Sequence, residues 1–214
     1  MAKPVMISVS GIRGIVGEGL SPELIVNLAS AAGTFYGPGR VFVGRDPRVT
    51  GDMVKHAVFA GLIAVGCDPV DLGICATPSV EIAVRRSDAV GGIIITASHN
   101  PVEWNALKLL GGGGLFLNAG EGLAVKRIAE EKTFAYKPWD QLGRAGRFDH
   151  ATRDHIAHIL SLSFLDGEAL RKRRFRVAFD AVNGAGGVIV PKMLEALGCE
   201  IFPLNTEPTG LFAH

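Results

Sequence analysis

Residues 91–101 read Gly-Gly-Ile-Ile-Ile-Thr-Ala-Ser-His-Asn-Pro, an apolar run that stops abruptly at small and polar residues. The apolar half predicts a buried strand. Pro101 restricts the exit of the following loop and biases Asn100 toward extended geometry. Because α/β proteins place ligands at loops that leave the ends of buried strands, this loop is the first candidate site. Its Ser98 and His99 place a hydroxyl beside an imidazole, as expected of a nucleophile with polar surroundings.

Helix and strand patterns alternate along the rest of the chain. Helices are predicted over 22–36, 51–65, 78–86, 120–131, 150–164 and 187–197, and strands over 40–44, 68–72, 91–95, 175–180 and 200–204. The tetraglycine at 111–114 is predicted to turn a hairpin, because glycine adopts positive φ at little cost. Strands separated by helices form βαβ units, so we predict an α/β fold with a mixed, mostly parallel sheet sandwiched by helices.

A change in composition divides the chain into two parts. Residues 132–149 are polar and interrupted by proline and glycine. We predict one complete domain over 1–135, a linker over 136–149, and the start of a second domain of the same kind over 150–214. The second domain has too few elements to cover both faces of its sheet, so we expect the chain to be a fragment.

Composition excludes several classes of partner. The net charge is +1, which is no general signal for nucleic acid, and the basic run 171–174 is interpreted as a solvated helix end. No apolar run approaches the ~18 residues of a membrane span, and residues 1–4 do not open a signal peptide. The three cysteines have no metal-ligand spacing, so we interpret them as small buried residues. A sparse, odd number of cysteines is typical of thiols that stay reduced in a cytoplasm. We therefore expect a cytoplasmic protein, monomeric or weakly dimeric, with no nucleic-acid or membrane partner.

Two arginine motifs add candidate site residues. Arg13 lies between glycines in Ser-Gly-Ile-Arg-Gly, where the backbone can turn tightly and the guanidinium presents a planar fork suited to phosphate. Arg45 and Arg48 follow a predicted strand in Gly-Arg-Asp-Pro-Arg and would add positive potential on the ligand side of the sheet. Asp46 is interpreted as structural, either pairing with Arg45 or capping the helix that begins near residue 51.

The chemistry of Ser98 requires a partner, since a neutral serine hydroxyl is a poor nucleophile. His99 and Lys108 are the candidates within reach in the sequence, and Lys108 also offers a cation to an anionic substrate. A serine hydrolase is disfavoured because the loop lacks the Gly-x-Ser-x-Gly elbow. The tetraglycine lacks the Gly-Lys-Ser/Thr ending of a phosphate loop, and Ile189 breaks the dinucleotide fingerprint at 180–187.

The serine loop resembles a known active site. Residues 96–101, Thr-Ala-Ser-His-Asn-Pro, with Asn-Ala-Leu-Lys at 105–108, resemble the active-site loop of the α-D-phosphohexomutases, the family of phosphoglucomutase, phosphomannomutase and phosphoglucosamine mutase. The segments at 10–14 and 180–187 resemble the amino-terminal signature of that family and the start of its second domain. Ala106 stands where the family usually has glycine. The resemblance covers essentially the whole chain but only the first half or less of a typical member.

The resemblance implies a two-step phosphoryl exchange. In the family the serine of this loop carries a phosphoryl group, so Ser98 is expected to donate it to the free hydroxyl of a hexose phosphate. The hexose bisphosphate then turns round and returns its other phosphoryl group, which interconverts hexose 1-phosphate and 6-phosphate. We expect negligible turnover from this chain alone. The alternative is a non-catalytic module that binds a sugar phosphate or a partner chain.

The resemblance and the residues together assign candidate roles. Lys108 is expected to act as general acid and base, His99 to orient the sugar phosphate or the loop, and Asn100 to fix the loop by side-chain to backbone bonds. A Mg²⁺ cofactor is expected beside Ser98, bound through the phosphoryl oxygen, with its remaining ligands beyond residue 214. The catalytic candidates are thus Ser98, Lys108 and His99, and the candidates for binding substrate and phosphate are Arg13, Arg45, Arg48 and Asn100.

Overall fold

The computed structural model describes residues 6–8 and 11–214, and its centre is the strand predicted at 91–95. All five residues of this strand are buried. Ile93 and Ile95 pack into an apolar cluster on one face of the sheet, and Ile94 packs into a second cluster on the opposite face. Burial on both faces explains why the sequence shows an uninterrupted apolar run here.

The described residues form nine strands and seven helices. The strands are β1 (Met6–Ser8), β2 (Gly11–Ile15), β3 (Gly39–Arg45), β4 (Cys67–Ile74), β5 (Gly91–Ile95), β6 (Trp104–Gly111), β7 (Gly146–Arg147), β8 (Arg176–Asp180) and β9 (Glu200–Leu204). The helices are α1 (Pro22–Tyr36), α2 (Gly51–Ala64), α3 (Thr77–Arg85), α4 (Ala119–Glu131), α5 (Ala151–Leu160), α6 (Gly167–Arg173) and α7 (Gly186–Ala196). The helices and strands whose ranges are predicted above are therefore present, with shifted ends. The second arm of the predicted hairpin, at 115–117, is reduced to an isolated bridge at Phe116.

A seven-stranded sheet has the order β1-β2-β6-β5-β3-β4-β7. Strands β5, β3, β4 and β7 run parallel to one another, whereas β6, β2 and β1 join through antiparallel pairs. Strands β8 and β9 form a separate parallel pair. Across the described chain four strand pairs are parallel and three antiparallel, which confirms the mixed, mostly parallel α/β fold.

Helices cover both faces of the large sheet, as predicted. α1, α2 and α4 lie on one face, where they contribute Ile25, Leu62 and Val125 to the core. α3 lies on the other face with Val80 and Val84. α5 packs against both α3 and α7, so it joins the large sheet to the small one. Within the described ranges, no helix combines the length and apolar character needed to cross a bilayer.

Four elements are absent from the sequence-based prediction. β2 lies at the amino-terminal signature, where glycines and an arginine give no apolar alternation to indicate a strand, and the three-residue β1 lies just before it (Ser10 lies outside the described residues). β7 lies inside the predicted linker 136–149 and pairs with β4 through only two residues. α6 has no buried residue and so no apolar stripe, although the Asp166 carboxylate caps it by accepting from Ala169 N at 2.9 Å.

The tetraglycine forms the predicted turn. Gly111 N donates to Leu115 O at 2.9 Å, and an antiparallel bridge at Phe116 follows. Gly114 has a φ of 74°, and a Cβ there would lie 2.4 Å from Glu81 O. Both the positive φ and the close approach of α3 therefore require glycine at this position.

The cysteines are free thiols, and two of them are buried as interpreted from the sequence. Burial raises the pKa of Cys67 to about 11 and the pKa of Cys75 to about 12. Both side chains are therefore protonated, unreactive members of the core. Cys199 is only half-buried.

Two polar pairs join α3 and the residue that follows it to α5. Ser79 Oγ lies 2.9 Å from His155 Nδ1, and both residues are buried. Closer to the surface, Arg86 Nη1 lies 3.2 Å from His158 Nδ1. Burial lowers the pKa of His155, and the charge of His158 lowers it further. The neutral imidazole is consequently the form of His155 that fits this contact.

We expect the protein to lose stability as the pH falls below about 6.5, the ordinary pKa of an unfolded histidine. The pKa of folded His155 is lower, so between the two values the unfolded chain binds the extra proton and protonation favours unfolding. Urea unfolding free energies at about pH 7.5 and 5.5 measure this loss. His155→Gln should reduce the loss, and His56→Gln, at an exposed position of α2, should leave it unchanged. Equal losses in all three proteins would contradict the prediction.

Candidate active site

Ser98 lies in the loop that follows β5, at the carboxyl end of the most buried strand. Its φ is 57°, in the left-handed region that non-glycine residues rarely adopt. Ser98 Oγ lies 3.3 Å from His99 Nδ1. A strained backbone at a loop end is held only when surrounding contacts impose it, and such positions concentrate at functional sites.

A cleft of about 170 Å³ opens beside this loop. We call it the serine cleft; its polar lining includes Arg13, Thr96, Ser98, His99 and Lys108. The structure therefore brings four of the seven predicted site residues together: Arg13 from β2, Lys108 from β6, and Ser98 and His99 from the loop after β5.

The pairing of β2 with β6 explains how Arg13 and Lys108 reach the same cleft. Arg13 lies opposite Ala106, and Lys108 is two residues further along β6. Directly opposed residues of an antiparallel pair share a face, and alternate residues of one strand do too. Ala106 is extended rather than left-handed, so alanine meets the backbone requirement here.

The two cations have different surroundings. Among the residues that the structure describes, no carboxylate lies within ion-pair distance of Arg13, whereas Arg45 and Arg48 both have such partners. Lys108 Nζ lies 5.9 Å from the centre of the Phe116 ring. Burial raises the pKa of Glu81 on α3, and the nearby charge of Lys108 opposes that rise. Both cations are thus placed to attract an anion into the serine cleft.

Arg48 lies in a different place from the one predicted. Its side chain is fully buried behind the serine loop. Nε donates to Asp46 Oδ2 at 3.0 Å, and the two terminal nitrogens donate to carbonyl oxygens of the loop, on Ser98, Asn100, Pro101 and Trp104. Since a guanidinium has five N–H donors, this arrangement leaves none for a substrate phosphate. Arg48 therefore holds the loop, and its predicted contact with phosphate is not supported.

Arg45 is also diverted from the cleft. Its guanidinium donates to Asp52 Oδ1 on α2 at 3.0 Å and to the backbone oxygen of Asp46 at 3.3 Å. It lines neither the serine cleft nor the larger cleft described below. The predicted pairing of Asp46 with Arg45 is wrong, because the Asp46 carboxylate faces Arg48 instead. Asp46 also does not cap α2, which begins after Thr50.

Thr96 completes a network that the sequence did not reveal. Thr96 Oγ1 donates to Asp46 Oδ2 at 2.6 Å and accepts from Ser98 N at 3.1 Å. Asp46 Oδ1 accepts from Arg48 N at 3.0 Å. The carboxylate therefore joins the backbone of Ser98 to Arg48. Only the position of Thr96 directly after the buried strand could have indicated this role.

Asn100 does not fix the loop in the expected way. Its Oδ1 is buried without a hydrogen-bond partner in the described structure. Its backbone oxygen accepts from Arg48, and its backbone N donates to Ala97 O. Asn105, by contrast, is fully buried and structural, because its Nδ2 donates to Thr50 Oγ1 at 3.0 Å.

A larger cleft of about 470 Å³ lies between the two sheets. We call it the inter-sheet cleft; its lining includes Asp46, Ser98, His99, Asn100, Asp180, Val182, Gly186 and Phe212. The segment 180–187, set aside in the sequence as a broken dinucleotide fingerprint, thus faces the serine loop. Val182 and Asn183 have φ values of 44° and 57°, so this turn is strained as well.

Asp180 anchors that turn. Hydrogen bonds from Val182 N and from the Asn205 amide lower the pKa of its carboxyl.

The expected magnesium ion finds no complete set of ligands in the part of the chain that the structure describes. The described residues contain no group of three or more His, Cys, Asp or Glu side chains that would hold a metal. They do not by themselves form a site for Mg²⁺, so we derive no step through it.

Comparison with known proteins identifies the class of protein that this fold and site define. Residues 6–136 match the family profile described as phosphoglucomutase/phosphomannomutase, alpha/beta/alpha domain I, and residues 153–214 match the profile of domain II. The chain belongs to the phosphoglucomutase/phosphomannomutase family, which confirms the resemblance found in the sequence.

Individual relatives agree with this assignment. A phosphoglucomutase/phosphomannomutase of Thermococcus kodakarensis is 38% identical over 207 residues, which cover 94% of this chain and 45% of that protein. A Pyrococcus abyssi protein named "Probable phosphoglucosamine mutase" is 36% identical over 96% of this chain and 44% of its own. The crystal structure of a family member from Burkholderia thailandensis superposes with a TM-score of 0.80 at 26% identity, over 98% of this chain and 46% of that one. The chain thus spans about half the length of the relatives it matches.

We expect Ser98→Gly to be more stable than Ser98→Ala by about 1 kcal/mol, because glycine adopts the left-handed conformation without the Cβ clash. Chemical denaturation of the two variants measures the difference. At Ser163, an exposed position where φ is negative, the same pair of substitutions should show no such preference for glycine. A Ser98→Ala variant at least as stable as Ser98→Gly would show that the loop is not strained.

Proposed function

We propose that this chain carries the phosphoserine loop and part of the substrate cleft of a phosphohexomutase. Ser98 would accept and donate the phosphoryl group that moves between the 1- and 6-positions of a hexose phosphate. The observation that carries the proposal is the convergence of Ser98, His99, Arg13 and Lys108 on one cleft. The substrate class follows from the family, and the serine cleft does not distinguish among glucose, mannose and glucosamine phosphates.

The transfer can be written for the residues present. A sugar hydroxyl attacks phosphorus, the bond from phosphorus to Ser98 Oγ breaks, and Oγ takes up a proton while the sugar oxygen loses one. Lys108 is assigned the proton transfers, and His99, 3.3 Å from Ser98 Oγ, orients the serine or the sugar phosphate. Arg13 would bind the phosphoryl oxygens as a planar fork. Because such transfers depend mainly on positioning and charge neutralisation, two cations beside the serine support the proposal.

The remaining assignments stay predictions. We propose residues 1–135 as the first domain, 136–149 as the linker and 150–214 as part of the second, with Asn100 at the substrate side of the loop. Magnesium bound to the phosphoserine oxygen, with ligands from outside this chain, follows from the family resemblance alone. A cytoplasmic location and a monomer or weak dimer are also inferred from sequence only.

A non-catalytic sugar-phosphate-binding module is the second candidate. The two cations of the serine cleft, Arg13 and Lys108, favour it, because they would attract a phosphate whether or not Ser98 reacts. Binding of a hexose phosphate that is unaffected by Ser98→Ala, with no phosphoryl group gained by the protein, would favour this alternative.

We expect the chain to gain one phosphoryl group on Ser98 when it is incubated with a hexose 1,6-bisphosphate and magnesium. Intact mass spectrometry detects the gain, and peptide mapping locates it. Ser98→Ala should gain nothing, whereas Ser163→Ala, at an exposed serine far along the chain, should behave as the wild type. Absence of any gain in the wild-type protein would count against the proposed function.

Lys108→Gln should slow this phosphorylation by about 10²-fold or more, since loss of a general acid or base typically costs that much. Lys126→Gln removes an exposed lysine of α4 and should leave the rate unchanged. The time course of the mass gain gives both rates. A Lys108→Gln protein that is phosphorylated at the wild-type rate would remove Lys108 from the mechanism.

A further inference from the structure

An aromatic ring from the end of the chain covers the guanidinium that holds the serine loop. The centre of the Phe212 ring lies 4.8 Å from Arg48 Cζ. The Arg48 side chain has no exposed surface, and its N–H groups are all directed to protein oxygens. Its planar faces are therefore the part of the group that a neighbour can still stabilise, and aromatic rings do so best where water is excluded.

The backbone before Phe212 packs tightly against the loop that follows β3. Gly210 is buried with a φ of 72°, and a Cβ there would lie 2.0 Å from Pro47 O. Gly210 N donates to Asn183 O at 3.2 Å, which ties the segment to the turn after β8. The segment that carries the ring is thus held by Pro47, in the loop after β3, and by Asn183, in the turn after β8.

The serine loop needs an external hold because Ser98 is left-handed. Arg48 provides it by binding the carbonyl oxygens of residues 98, 100, 101 and 104. Hydrogen bonds of this kind are stronger where water is excluded. Removal of the ring would let water solvate the guanidinium and compete with those carbonyls, so that the loop could relax.

We propose that Phe212 is a positioning residue for Ser98: it shields the Arg48 guanidinium and thereby keeps the serine loop in the strained conformation that transfers phosphate. The catalytic role of the loop rests on the proposed function, but the mechanical part of the inference does not. The turn after β8, which holds the segment that carries Phe212, then contributes to phosphoryl transfer through this ring.

Hydrogen exchange tests the mechanical part. In Phe212→Leu the amides of Ser98, Asn100 and Trp104 should exchange about tenfold faster, since their hydrogen bonds all lie within the loop. Phe212→Tyr keeps the ring and should restore wild-type exchange. Phe202→Leu is the matched control, because Phe202 forms a similar contact with Arg176, with 5.0 Å between ring centre and Cζ, on the small sheet itself. That variant should leave the loop unchanged.

The rate of Ser98 phosphorylation by a hexose 1,6-bisphosphate tests the link to function. It should fall in Phe212→Leu in proportion to the loss of exchange protection, and recover in Phe212→Tyr. Unchanged exchange in Phe212→Leu would overturn the inference. So would faster exchange spread evenly over β5 and α2, because that would indicate general destabilisation. If no protein, wild type included, gains a phosphoryl group, the proposed function fails while the exchange data still decide the role of Phe212.

Discussion

The buried guanidinium of Arg48 is the contact on which the candidate site depends. It lies between the carboxylate of Asp46 and the serine loop, so one side chain forms an ion pair and binds four carbonyl oxygens of residues 98–104. A buried charge is tolerated only when it is paired and hydrogen-bonded, and here every donor is used. The loop can therefore present Ser98 with a left-handed backbone that an isolated segment would not adopt.

The antiparallel part of the sheet brings the two cations to the end of the sheet where Ser98 lies. The parallel pairing of β5 with β3 places only the loop after β3, with Asp46 and Arg48, beside the serine loop. Because β6 returns antiparallel beside β5, and β2 beside β6, Lys108 and Arg13 are brought back to the same end as Ser98. The core beneath is apolar on both faces of β5, which leaves the polar groups to collect at the strand ends. The residues of β5 thus contribute to the apolar core, and the polar residues of the candidate site follow at its carboxyl end.

Much of the fold could be predicted because it depends on local patterns. The helix α1 follows from Ser21 and Pro22 at its start and from regular apolar spacing, and β5 follows from an unbroken apolar run. Strand β2 could not be predicted in this way, since its place is decided by pairing with β6 and not by its own residues. β7 is likewise a strand only because β4 offers it an edge.

The sequence by itself determined the α/β class, the serine loop at the end of a buried strand, and the family resemblance. Each of these depends on local patterns and short motifs that can be recognised without knowing which distant residues are in contact. The tertiary structure alone decided which arginine faces the cleft. Arg13, Arg45 and Arg48 look equally suited to phosphate in the sequence, yet Arg45 pairs with Asp52 and Arg48 is buried beneath Phe212. The availability of a charged group depends on the partners that folding brings to it. For Arg48 these include the carbonyl oxygens of residues 98–104 and the Phe212 ring, which lie far away along the chain.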